Sequence, residues 1–233
     1  MQILPGIYLV NGSPYGRFQN SYLVHAGDAT FMIDSGDLED AVCLPEVERN
    51  AARWGFRLEQ ASHLLITHAH YDHSSDAAEL QRRGLKVVAS PATARSMAAG
   101  DEMCIGFAVH RTFQPCRADM ILDGGQELSI GGVRVRCIAA PGHTAGLVIF
   151  EVLLGGERCW FVGDLLITLQ SHTSVELPWT GSPDFNRAQY IETLAKLVKL
   201  PCDHLFPGHG PAAIACGKRV LEMAYSEALV KWR

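Results

Sequence analysis

Thr67-His68-Ala69-His70-Tyr71-Asp72-His73 sets three imidazoles and a carboxylate within six consecutive residues. The short apolar run before it, residues 64–67, predicts a buried strand. Side chains on a strand alternate with period two, so a chain leaving that strand at Thr67 points His68 and His70 the same way. Both can then reach one ion. Asp72 and His73, on the turn into the next helix, reach a second ion beside it. A solvated polar turn uses the same residue types, and the rest of the chain decides between the two readings.

Three later segments favour a metal site. Ala140-Pro141-Gly142-His143-Thr144 follows a predicted strand at 133–139, and Phe161-Val162-Gly163-Asp164 closes another at 158–162. Phe206-Pro207-Gly208-His209-Gly210 follows a short apolar run. Each places one metal-capable side chain directly after a glycine, which permits a sharp turn and a close backbone approach. One Pro-Gly-His is an ordinary turn, but four such segments in this order form a ligand set. Imidazole and carboxylate donors without a thiolate suit borderline divalent ions: zinc first, with iron, manganese or cobalt as alternatives.

Around these segments the chain alternates strands and helices. Strands are predicted at 3–10, 21–25, 29–33, 85–89, 127–130 and 147–154. Helices are predicted at 45–54, where Pro45 suits the first turn and Gly55 the end, and near 76–83, where Asp76 and Glu79 have capping-box spacing. Phe185, Ala188, Ile191, Leu194, Ala195 and Val198 have helical spacing up to Pro201, and a last helix falls within 214–230. Two runs of strands, each followed by helices, predict two packed sheets with helices outside. Residues 91–119 are expected to hold a helix and a loop over the site. Met97, Met103, Ile105 and Phe107 there form either core packing or an apolar wall.

From the end of the strand at Ile33-Asp34-Ser35-Gly36 to His209, the chain resembles the metallo-β-lactamase superfamily, in its glyoxalase II-like and lactonase-like branch. The resemblance implies a four-layer αββα sandwich of two mixed sheets flanked by helices, expected as one domain over residues 1–233. It implies two metal ions, the first held by His68, His70 and His143, the second by Asp72, His73 and His209, with Asp164 bridging both. Asp34 matches a buried aspartate that orients a ligand histidine from behind. Two ions sharing one water bring its pKa down towards about 7, so a bridging hydroxide can attack a carbonyl while one ion polarises the oxygen. Asp72 can also orient that water or pass its proton.

An aspartate at position 164 is the pattern of members that cut ester-type bonds, thioesters or lactones, in small molecules. Lactam-cleaving members usually differ there and are normally exported. Glyoxalase II enzymes append a helical domain that grips glutathione, and lactonase-like members commonly place a tyrosine soon after the bridging aspartate. Here little chain follows His209 and no tyrosine lies between Asp164 and Tyr190. Ser74-Ser75 likewise departs from the small Gly/Ala-rich continuation of the family motif. A different reaction on the same scaffold is an iron-dependent sulfur dioxygenase using His68, His143 and Asp164. His172, in the segment beyond Asp164, is expected with Trp179 and Tyr190 to shape a substrate pocket.

Twenty Lys and Arg against 25 Asp and Glu, a net charge of −5 over 233 residues, leave no basic face for a nucleic acid. No charged leader and no long apolar run are seen, so neither a membrane partner nor export is expected, and the cytoplasm is the expected compartment. Members of the family it resembles often dimerise, so the resemblance allows a homodimer without the sequence itself requiring one. Seven cysteines, an odd number without a C-x-x-C pair, are expected to be reduced buried thiols.

Overall fold

The N-terminal strands wind up and down as β1 (Gln2–Leu4), β2 (Ile7–Asn11), β3 (Ser21–Ala26) and β4 (Ala29–Ile33) in a computed structural model that describes residues 1–36, 43–170 and 173–232. Helix α1 (Cys43–Ala52) crosses to β5 (His63–Ile66). Then come α2 (Tyr71–Ser74), α3 (Ala77–Arg82), β6 (Lys86–Ala89), α4 (Pro91–Ala99) and β7 (Met120–Ile121). These strands form one sheet in chain order, antiparallel from β1 to β4 and parallel from β4 to β7. The second sheet uses β8 (Glu127–Ile130), β9 (Val133–Ala139), β10 (Val148–Leu154), β11 (Glu157–Thr168) and β12 (Val175–Glu176). After α5 (Arg187–Leu197), β13 (His204–His209) lies parallel along β11, and α6 (Gly217–Trp232) ends the described chain.

Strand periodicity sorts the apolar residues into three buried layers. Phe31, Ile33 and Leu65 point inward and meet Val135, Phe150, Phe161 and Phe206 between the sheets. Their neighbours Met32, Leu64 and Ile66 point outward and pack with Val47, Leu80 and Met97. On the far side Ile149, Trp160 and Val162 pack with Tyr190, Leu194, Leu221 and Ala224 of α5 and α6. The result is the αββα sandwich expected. No helix among the described residues is long and apolar enough to cross a membrane. Six of the seven cysteines are buried and none is disulfide-bonded, and burial pushes Cys104, Cys137 and Cys159 up to about 12.

Several boundaries differ from the sequence reading. The strand expected at 3–10 is two strands, because the chain turns at Pro5-Gly6. β11 does not end before Asp164 but runs on to Thr168. Irregular register on either side of Gly163 lets the strand leave β10 at Phe161 and rejoin β12 at Ile167. β7 and β12 have only two residues each, too short for a periodic signal. Asp76 makes no capping bond to α3; its carboxylate instead accepts from the Ser35 hydroxyl at 3.0 Å. Residues 91–119 hold α4 and two short 3-10 turns, Glu102–Cys104 and Gly106–Val109.

Phe161 stacks on Phe206 at 4.7 Å between ring centroids and meets the edge of Tyr22, entirely within the inter-sheet layer. Phe161→Ala is expected to lower the unfolding free energy by about 3–5 kcal/mol, read from the urea midpoint at unchanged slope.

Candidate metal centre

Each residue of the predicted ligand set leaves the sheets at one shared edge. His68 and His70 follow β5, while α2 carries Asp72 and His73. His143 sits in the turn from β9 to β10, Asp164 at the irregular point of β11, and His209 at the end of β13. All seven are buried. Ligand atoms of His68, His70, His143 and Asp164 lie within 4.8 Å of one another, and those of Asp72, His73, Asp164 and His209 do the same. Asp164 belongs to both groups and gives each a different oxygen. Its Oδ2 is 3.6 Å from His143 Nε2 and 3.9 Å from His68 Nε2. Its Oδ1 is 3.1 Å from His73 Nε2 and 3.3 Å from His209 Nε2.

These distances and the groups left unpaired fit divalent ions. Two donors ~2.1 Å from one tetrahedral zinc stand ~3.4 Å apart. His143 Nε2 faces His70 Nδ1 at 3.1 Å, and His73 Nε2 faces His209 Nε2 at 3.4 Å. Asp72 Oδ2 is 3.2 Å from His209 Nε2 and 3.4 Å from His73 Nε2. His68 Nε2 and Asp164 Oδ1 are buried without a hydrogen-bond partner. Asp164 Oδ1 is near two imidazoles but off the line a hydrogen bond needs. Buried polar atoms left unpaired are costly, and a cation between them removes that cost.

The protein holds the outward side of four of the ligand imidazoles. Asp34 Oδ2 takes His73 Nδ1 at 2.9 Å and the Thr67 hydroxyl at 2.7 Å, and Oδ1 accepts from the Thr67 backbone N–H at 2.8 Å. These bonds keep Asp34 in the left-handed region, at φ 55°. Its expected support of a ligand histidine therefore falls on His73. His143 Nδ1 meets the Trp179 carbonyl at 3.1 Å, and His209 Nδ1 meets the Phe18 carbonyl at 3.0 Å. His70 Nε2 meets Ser182 Oγ at 3.2 Å, which donates to Asp184 Oδ1 at 2.6 Å. Asp184 also accepts from the Ala145 N–H at 2.7 Å, tying down the His143 turn. Ser182, Asp184 and the two carbonyls were not singled out in the sequence. A Cβ on Gly208 would fall onto Asp164 Oδ1 and His73 Cε1, so only glycine lets β13 pass there.

Charge divides the two groups. Burial, reinforced by the charges of neighbouring imidazoles, holds the His68 and His70 rings neutral, His70 at about 3; burial does the same for His143. Burial acts against the charge of His73 and His209 too. The Asp164 and Asp72 carboxylates outweigh it, raising His73 well above its usual range and His209 to about 10. Burial likewise works to raise Asp72 and Asp164, yet the His73 and His209 charges hold both well below the usual carboxylate range.

A cavity of about 430 Å³ opens over this floor, with His70, Asp72, Asp164 and His209 at its base. Phe18, Ile105, Ala108, Val109, Ile167 and Trp179 form its walls. Trp179, one of the residues named from the sequence, lines this cavity. Of the apolar candidates in 91–119, Ile105 lines the cavity, while Met97 is core. Tyr190 does not reach the cavity. It is wholly buried between α5 and the second sheet, its hydroxyl donates to the Leu165 carbonyl, and its backbone fills the space a Cβ on Gly142 would need. Its spacing to Leu194 and Leu197 marks the buried stripe of α5. His172 lies outside the described residues.

Comparison with known proteins finds a family match, curated relatives and solved structures of the same fold. The model of the family described as the Metallo-beta-lactamase superfamily matches residues 14–209. An atrochrysone carboxyl ACP thioesterase of Aspergillus fumigatus is 28% identical over 88% of this chain and 56% of its own length. A hydroxyacylglutathione hydrolase of Acidiphilium cryptum is 29% identical over 77% of this chain and 59% of its own. The chain thus spans a little over half the length of these curated relatives. Among solved structures, a HARLDQ-motif mutant metallo-beta-lactamase of Cronobacter sakazakii superposes with a TM-score of 0.78 over 99% of this chain and 95% of that one. At 23% identity that likeness shows the fold alone.

The raised His209 has a consequence for pH. Its charge contributes stability to the metal-free protein below the ordinary 6.5. That contribution is lost as pH rises through about 10. A metal ligand must be neutral, so zinc affinity is expected to increase with pH over the same window. In metal-free protein, NMR of the His209 ring is expected to show a charged imidazole at pH 8 that becomes neutral when zinc is added. A neutral ring before zinc would contradict the ion pairing described.

Proposed function

Since the chain belongs to the metallo-beta-lactamase superfamily, we propose that it is a dinuclear metal-dependent hydrolase of ester-type acyl bonds, thioester or lactone, in a small molecule. The observation that carries this reading is Asp164, one carboxylate offering separate oxygens to two separate ligand groups. His68, His70 and His143 would hold one ion, and Asp72, His73 and His209 the other. Zinc is the first choice for such donors. Ions bound there supply Lewis acidity towards a carbonyl and a water acidified into the neutral range.

The protein's own groups do the rest. Asp34, Ser182 and the carbonyls of Phe18 and Trp179 hold four imidazoles in fixed orientations, so little reorganisation accompanies reaction. Asp72, on the cavity floor, is placed to orient the attacking water or to pass its proton. The ligand side chains themselves are buried, which strengthens the charge interactions among them. An acyl bond is supported by the curated relatives, one named a thioesterase and one a hydroxyacylglutathione hydrolase.

The test is a panel of acyl-thioesters, acyl-homoserine lactones, aryl esters and a cephalosporin on zinc-, manganese- and iron-loaded protein, with metal content measured. Two ions per chain and turnover of thioester or lactone are expected. Asp164→Ala should lose at least one ion and at least about a hundredfold in kcat/KM. One iron per chain with oxygen consumption would move the protein to the sulfur dioxygenases, and turnover of the cephalosporin alone would overturn the choice of bond.

A further inference from the structure

Phe18 and Trp179 are large apolar side chains that the fold leaves exposed, at 61% and 46%, and both stand over the metal centre. Each is fixed to it twice. The Phe18 ring stacks on His209 at 4.3 Å between centroids while its carbonyl holds the Nδ1 of the same histidine. The Trp179 carbonyl holds His143, and its indole meets the edge of His70 at 6.0 Å. The indole also folds back over Gly181, where a Cβ would fall into the ring. Neither aromatic is therefore a loosely placed surface residue. Singly exposed apolar residues mean little, but two anchored ones lining the same cavity mark a binding surface.

The remaining wall is apolar as well. Ile105, Ala108 and Val109 come from the turn after α4, and Ile167 comes from β11. Ile105 takes φ 50°, unfavourable for a β-branched residue, and this conformation begins the turn at the cavity. Among the described residues no lysine or arginine lines the cavity, and Arg17, beside Phe18, is paired with Glu46 at 2.7 Å. Among the described residues, the ionisable side chains lining it all belong to the ligand set. A negatively charged substituent entering above that floor would lose water and gain no lysine or arginine among the described residues.

Resting on the hydrolase reading above, we propose that Phe18 and Trp179 are the jaws of an acyl subsite, and that the substrate is an uncharged acyl compound whose apolar tail lies between them. An alkyl and an aryl tail share this chemistry. A carboxylate-ended or phosphate-bearing tail does not.

Alkyl hydroxamic acids test the subsite without requiring turnover, because their head groups bind metal ions whatever reaction the site performs. Zinc-loaded protein is titrated by calorimetry with acetohydroxamic, octanohydroxamic and benzohydroxamic acids, and with suberic monohydroxamic acid, an eight-carbon chain ending in carboxylate. Octanohydroxamic acid is expected to bind at least about tenfold more tightly than the acetyl compound, each buried methylene adding to affinity. Suberic monohydroxamic acid should lose at least about tenfold against octanohydroxamic acid. The benzoyl arm separates aryl from alkyl tails. In Phe18→Ala and Trp179→Ala the octanoyl-to-acetyl ratio should fall towards one with zinc content retained. Gly181→Val, which displaces the indole without removing it, should lower the ratio as well. Equal affinity for short and long chains, or a preference for the carboxylate-ended one, would overturn the subsite. A failure of every ester in the panel above, with the chain-length preference intact, would instead overturn the hydrolase reading and leave the subsite standing.

Discussion

The structure turns on one carboxylate buried among imidazoles. Among the described residues no lysine or arginine pairs with Asp164, and its two oxygens face two different histidine groups. An ionised carboxylate in such a place is tolerable only if positive charge comes to it. In the metal-free protein His73 and His209 carry that charge, which is why both hold their protons so strongly. The same need explains why four chain segments bring donors to one edge of the sandwich. Each donor group would be costly there alone, and together they offset one another.

The scaffold meets this need by placing rigid strands behind flexible exits. β4, β5, β9, β11 and β13 run through the packed layers, and the functional side chains lie where those strands end or lose register. Asp34 shows how closely the exits are joined. Leaving β4, it reaches both the Thr67 backbone leaving β5 and the ring of His73 on α2. Asp184 does the same for the second sheet, linking the Ser182–His70 contact to the turn that carries His143.

The ligand set was legible in the sequence because its residue types are distinctive and their spacing is short or marked by glycine. The two-sheet architecture was legible because strand periodicity and helical periodicity differ. What escaped the sequence reading did so for physical reasons. The grips on His143 and His209 are backbone carbonyls, which every residue carries, so nothing at Phe18 or Trp179 advertises them. Ser182 and Asp184 are ordinary loop residues until the fold sets them behind His70. The extension of β11 past Asp164 was hidden because Gly163 reads as the end of a strand, although here it marks an irregularity within one. Tyr190, expected at the pocket, is instead buried, and its place beside Leu194 and Leu197 on α5 is the signal that marks it.

The attachment of the two aromatics has a bearing on how such a protein can change over generations. Residues 18 and 179 hydrogen-bond their histidines through main-chain oxygens, which any residue there would keep, whereas what they present to a visitor is side chain. Under the subsite proposed above, substitution at either position would change which compounds are accepted while the carbonyl contacts to His209 and His143 stay in place. A lineage built this way can explore new diets by single replacements at its mouth, without first dismantling the machinery beneath.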